Sequence, residues 1–188
     1  MIKFPKMAPG PGMFLIAGAN MLDSNFSRSV ILLCEHRYEG SFGLLLNQPL
    51  PLKLTDIVTT ITGWDARIYR GGPVQENTLH FIHRCPSLDI GSREIIPGVY
   101  WGGEFEALAK KVSQKKISPE DIRFFIGYSG WGEGQLDNEI KNDSWFLGVA
   151  NSNMVFYNDS RNHWRSIFKS MGREYTILTN FPDDPRLN

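Results

Sequence analysis

Cysteine is scarce in this chain, with two among 188 residues. That excludes a disulfide framework and points to free thiols in a reducing compartment, so a cytoplasmic location is expected. Charge of one sign is also missing, because 20 Lys and Arg balance 20 Asp and Glu. A direct nucleic-acid binder normally carries a basic excess, so the balance argues against that class. Long apolar runs are lacking too. No segment approaches the ~18 apolar residues of a membrane helix, so no membrane partner is expected. Lys3 and Lys6 precede an apolar run, and Ala17-Gly18-Ala19 imitates a signal-cleavage site. Yet Pro9, Gly10, Pro11 and Gly12 interrupt the stretch, and Met13–Ala17 is shorter than the ~7–15 residues of a signal core. With no repeat, low-complexity tract or linker, one compact domain is expected over 1–188. Residues 1–11 read as an N-terminal extension and 180–188 as an irregular tail.

What the chain has in excess is glycine, 18 residues, or about 10% against a usual ~7%. Between the glycines the apolar residues mark elements. Met13–Ala17, Ser29–Glu35 and Phe42–Asn47 read as strands, the last two joined as a hairpin through Glu39-Gly40-Ser41. Their near-continuous apolar character predicts strands covered on both faces. Further strands are predicted at 68–69, 78–83, 94–100, 122–128 and 145–150. Leu54–Ile61 has helical spacing, as does Glu104–Val112, with acids in its first turn. Gln135–Ile140 reads as a short helix after a glycine loop at 130–134. Asn158-Asp159-Ser160 is a candidate cap for a helix bearing Trp164, Ile167, Phe168 and Met171, stopped by Gly172. Strands and helices mix without a βαβα rhythm, which predicts an α+β fold with a mixed sheet flanked by a few helices.

Chemistry-bearing residues fall in several groups. Alternation along a strand would put Cys34 with His36 on one face, and His83 with Cys85. Were those strands neighbours, two thiolates and two imidazoles could hold zinc, although the spacing is not a standard finger or ribbon. The same pair suggests a cysteine nucleophile with His36 as base, against the plainer reading of Cys34 as a small buried hydrophobe. Gly127-Tyr128-Ser129-Gly130-Trp131 approaches a nucleophile elbow but ends in Trp131 where the sharp turn wants glycine. Gly130, Gly132 and Gly134 could cradle an anion, yet they lack the spacing of a dinucleotide loop and the lysine of a Walker loop. Positive φ and close packing explain them equally. The pairs Lys110-Lys111 and Lys115-Lys116 read as a solvated face. No cofactor is called for.

Four blocks together resemble the AlgH-like (YqgE) family of bacterial proteins. They are FLIAGANMLDSNFSRSVILLCEHRYEGSFGLLLNQP over 14–49, GGPV over 71–74, GVYWGGEF over 98–105 and FFIGYSGWGEGQ over 124–135. The likeness departs at Ala19, where the family often has proline. It implies a compact α+β fold with a strongly curved mixed sheet, and it brings no established catalytic residue to these positions. Eleven glycines lie in or beside the blocks: Gly40, Gly43, Gly71, Gly72, Gly98, Gly102, Gly103, Gly127, Gly130, Gly132 and Gly134.

Three functions compete. The first is a non-catalytic regulatory or interaction protein, with Trp101 or Trp131 anchoring an unknown protein partner. The second is an enzyme or small-ligand protein whose cleft gathers Glu35, His36, Asn47, Ser129 and Gln135, polar groups that end apolar runs or sit in loops. The third is a transcriptional regulator acting directly or indirectly, suggested by the family's name alone. The first is preferred, with Glu35, His36, Asn47, Ser129, Trp131 and Gln135 as the candidate ligand or partner site.

Overall fold

The structure is a computed structural model and describes residues 7–61 and 63–181. Its strands are β1 (Met13–Ala17), β2 (Val30–Arg37), β3 (Gly40–Leu45), β4 (Pro49–Lys53), β5 (Arg67–Arg70), β6 (Val74–His83), β7 (Arg93–Ile96), β8 (Val99–Trp101), β9 (Ile122–Gly132) and β10 (Trp145–Val149). The helices are α1 (Leu54–Ile57), α2 (Phe105–Ser113), α3 (Gln135–Lys141), α4 (Ser152–Val155), α5 (His163–Met171) and α6 (Arg173–Thr176). The strands form one strongly curled sheet in the order β10-β1-β2-β3-β9-β6-β8-β7. β5 joins β9 in parallel and carries β4 on its far side, which makes the sheet mixed.

The apolar runs behave as their composition demands. Val30 to Cys34 of β2 are fully buried. Alternate residues enter different cores, so this strand is covered on both faces. Val30, Leu32 and Cys34 join α5's Trp164, Ile167 and Phe168 inside the curl. Ile31 and Leu33 join Trp131, Trp145 and α3's Leu136 on the other side. A third core sets α2's Leu108 and Val112 against Ile68, Phe81 and Phe124.

β9 is the axis of the fold. Its first half lies between β5 and β6, and its second half pairs with β3. To pass from β5 to β6 the chain crosses β9 within Gly71-Gly72-Pro73. A Cβ on Gly72 would lie 2.3 Å from the carbonyl carbon and oxygen of Tyr128. Gly127, directly beneath, has φ +68° and would place a Cβ 2.7 Å from the Gly72 oxygen. Two backbones therefore touch where side chains have been removed.

Several predicted boundaries shift. The strand expected over 94–100 is the β7–β8 hairpin. β9 extends through Gly132, so part of the expected glycine loop is paired strand. Helix α1 stops at Ile57 rather than Ile61. β4, which sequence reading passed over, contains Pro49 and Pro51. It survives because it pairs with β5 alone, where a missing amide hydrogen costs little. Asp159 does not cap α5, which starts at His163. It accepts from Asn162 N and Nδ2 at 3.2 and 2.7 Å in the preceding turn. The expected tail and N-terminal extension lie in part outside the described residues. Among those residues no helix is long and apolar enough to cross a membrane.

Candidate functional site

A cleft of about 440 Å³ opens where the tip of the β2–β3 hairpin meets the turn from β9 into α3. Its lining includes His36, Arg37, Tyr38 and Ser41 from the hairpin and Gly132, Glu133 and Asp137 from the turn and helix. His36 Nδ1 and Ser41 Oγ are 2.8 Å apart across the hairpin, which fixes the imidazole. Tyr38, at the tip, is 79% exposed. Its hydroxyl bonds to Glu133, which holds the phenol above its ordinary pKa.

Beneath the cleft lies a bracing network. The indole N–H groups of Trp131 and Trp145 both donate to Glu139 Oε2, at 2.9 and 2.7 Å. Gln135 Nε2 donates to the other carboxylate oxygen at 2.8 Å, and Gln135 Oε1 accepts from Gly132 N at 3.1 Å. The two indoles meet edge to face at 5.9 Å. Buried indoles need acceptors, and one carboxylate serving two of them ties β9, β10 and α3 into a unit. Sequence reading missed Glu139. The available signals were two tryptophans flanking the helix and the four-residue step from Gln135 to Glu139, which puts both on one helix face.

Only part of the sequence-derived site assembles here. His36 lines the cleft, and Trp131 and Gln135 brace it. Trp131 is 6% exposed and so belongs to the core rather than to an exposed anchor. Trp101 is half-buried against Phe42. Glu35 faces away: its carboxylate accepts from Arg93 Nη1 at 2.6 Å, and Arg37 approaches at 3.4 Å. Asn47 is a backbone mimic at the other end of β3, accepting from Val30 N and donating to Arg28 O, both at 2.9 Å. Ser129 is fully buried and its hydroxyl donates to Gly71 O at 3.0 Å, stitching the backbone crossing together. The expected convergence at one rim therefore does not occur.

The cysteine and histidine constellation is also dispersed. A bulge between Leu33 and Glu35 breaks the alternation of β2. Cys34 consequently sits in the inner core while His36 lines the cleft on the opposite side. Burial pushes the Cys34 thiol well above its ordinary pKa, the reverse of what a nucleophile needs. β2 and β6 are separated by β3 and β9, so His83 and Cys85 cannot join that pair. His83 is buried and satisfied: Nε2 lies 2.7 Å from Ser92 Oγ, and Nδ1 accepts from Cys85 N at 3.3 Å. The Ser92 hydroxyl donates onward to Gly102 O, which leaves Nε2–H as the donor to Ser92. Tyr100 stacks on the ring at 5.3 Å, and burial brings the His83 pKa down to about 4. Among the described residues no group of three or more His, Cys, Asp or Glu side chains is arranged to hold a metal ion.

The model of the AlgH-like family matches residues 14–176. A UPF0301 protein of Chlorobium limicola is 43% identical, over 95% of this chain and 95% of its own length. A second UPF0301 protein, from Chlorobium luteolum, is 42% identical over 94% of each chain. Among solved structures, a Corynebacterium diphtheriae protein matches with a TM-score of 0.79 at 22% identity, covering 95% of both chains. At that identity the likeness speaks to the fold alone. The solution structure of the AlgH protein from Pseudomonas aeruginosa matches with a TM-score of 0.71 at 26% identity, over 94% of this chain and 97% of that one.

Proposed function

The chain belongs to the AlgH-like family, and we propose that it acts as a non-catalytic interaction protein whose contact surface is the rim of the cleft at the β2–β3 tip. The observation that carries this reading is Tyr38, a large aromatic side chain standing 79% exposed over a turn braced by the Glu139 network. Tyrosine and arginine are the residue types that dominate binding hot spots, and Arg37 lies beside it. A rigid support lowers the ordering cost of binding. The two nucleophile candidates, Cys34 and Ser129, are both fully buried, and the Ser129 hydroxyl is engaged by a backbone carbonyl. Free Cys34 and Cys85 fit a reducing cytoplasm. A role in transcription, on this reading, runs through a protein partner, since 20 basic residues are balanced by 20 acidic ones.

Quantitative affinity capture from extracts of the producing cell tests it. Wild type, Tyr38→Ala and the surface control Lys115→Ala are compared. A partner retained by wild type and the control but lost from Tyr38→Ala is expected. The same partners on all three proteins would remove this surface from consideration. The cleft volume also favours a second reading, a small polar ligand, because about 440 Å³ falls within the usual range for ligand sites. Under that reading Tyr38→Ala abolishes a metabolite-induced rise in melting temperature rather than a protein contact.

A further inference from the structure

Three charged side chains line the cleft, and they are unequally partnered. Arg37 reaches out to Glu35 at 3.4 Å. Glu133 takes the Tyr38 hydroxyl. Among the described residues neither Glu133 nor Asp137 has a cation within ion-pair distance. The Gly132 amide is not free for an anion, because it is already bonded to Gln135 Oε1 at 3.1 Å. His36 commits Nδ1 to Ser41, while Nε2 has no partner among the described residues. With the Arg37 guanidinium drawn to Glu35 at its edge, the cleft therefore offers two carboxylates, one imidazole nitrogen and the exposed ring of Tyr38 in one place.

We propose that this cleft receives an arginine side chain from the partner protein, a step that rests on the interaction reading above. The guanidinium stacks on Tyr38 while its N–H groups reach the carboxylates of Glu133 and Asp137. Arginine fits better than lysine because its planar fork satisfies carboxylates side-on and stacks on an aromatic face at the same time. Two carboxylates against the one guanidinium of Arg37, itself drawn to Glu35, leave an acidic excess that disfavours an anionic ligand or an acidic membrane surface.

The test uses the full chain and the blocked peptide acetyl-Gly-Ser-Arg-Gly-Ser-amide, with a citrulline peptide as its neutral isostere. Binding is followed by amide chemical shifts in NMR. The arginine peptide should bind weakly, at millimolar concentrations or above, with shifts confined to 36–41 and 132–138. Affinity should fall about fivefold or more in Glu133→Gln/Asp137→Asn and likewise in 0.5 M salt. Salt dependence in the wild type keeps the idea testable even if the double variant folds poorly. Equal binding of the citrulline peptide, or shifts elsewhere on the surface, overturns the proposal. A partner captured by wild type and by Glu133→Gln/Asp137→Asn, but not by Tyr38→Ala, would leave the interaction surface standing and reject its specificity for arginine.

Discussion

Glu35 Oε1 accepts from Arg93 Nη1 at 2.6 Å across 58 positions of sequence, and this pair fastens the last strand of the curled sheet back onto β2. Arg93 also donates through Nη2 to the Cys34 carbonyl at 3.2 Å. A residue expected in a binding cleft is thus a latch that holds the curl. The pair is partly exposed, with side-chain accessibilities of 47% and 26%, so its contribution is modest. Glu35→Gln should lower stability by about 0.5–1 kcal/mol in dilute buffer. In 1 M salt, where the screening length is about 3 Å, the difference should nearly vanish. Urea unfolding of both proteins at both salt concentrations reads this directly. A loss of equal size in high salt would mean that packing, not the ion pair, is responsible.

Backbone crossing at β9 gives a sharper contrast. Gly72→Ala sets a methyl group 2.3 Å from Tyr128 backbone atoms, neither of which is a flexible side-chain end. A cost of about 3 kcal/mol or more is expected, enough to reduce soluble yield. Gly132→Ala meets nothing within 4 Å and has no left-handed backbone. It should change stability by no more than about 0.5 kcal/mol. Comparable losses for the two would refute the close-approach account of Gly72.

These two sites also show what sequence could and could not disclose. The β2–β3 hairpin was legible because apolar residues run unbroken on both sides of a turn. Burial on both faces of β2 followed from the same run. The bulge at Cys34 was not legible, since it exists only relative to the register of β3, and it overturned the shared face of Cys34 and His36. Asn47 and Ser129 looked like rim residues because polar groups end apolar runs. Both instead satisfy backbone groups of distant segments, a demand visible only once the chain is folded. His36 was found because the hairpin alone presents it. Glu139 was overlooked because an acid on a short helix has no local mark of the two indoles it serves.

Glu139 makes its own prediction. Glu139→Ala leaves two indole N–H groups without their shared acceptor and frees Gln135 from the helix face. Each unsatisfied buried donor costs ~1–3 kcal/mol, and partial access of water at this site sets the expectation near the lower end, about 2 kcal/mol in total. Tryptophan emission should shift to the red as water reaches the indoles. Glu139→Gln, which keeps an acceptor oxygen, should recover part of the stability. Unchanged emission in Glu139→Ala would show that the indoles do not depend on this carboxylate.

Two buried histidines, His83 and His163, contribute most to the response to acid. His163 is 0% exposed and packs against Phe14 and Tyr157. Burial, then the nearby Arg123 guanidinium, lowers its pKa to about 4, the same value as His83. In the unfolded chain both should titrate near 6.5. Between those values the unfolded state binds more protons than the folded one, so stability is full above about pH 6.5 and falls as pH drops toward 4. The slope is at most about 1.4 kcal/mol per pH unit for each histidine, so together they remove several kcal/mol by pH 4. His163→Phe retains an aromatic ring between Phe14 and Tyr157 and removes one titrating group. Chemical denaturation from pH 7.5 to pH 4 should show its stability profile clearly flattened relative to wild type, with His83 and, in the same direction, the partly buried His80 accounting for what remains. A variant whose profile stays parallel to that of wild type would mean that His163 is already protonated, or accessible, in the folded protein.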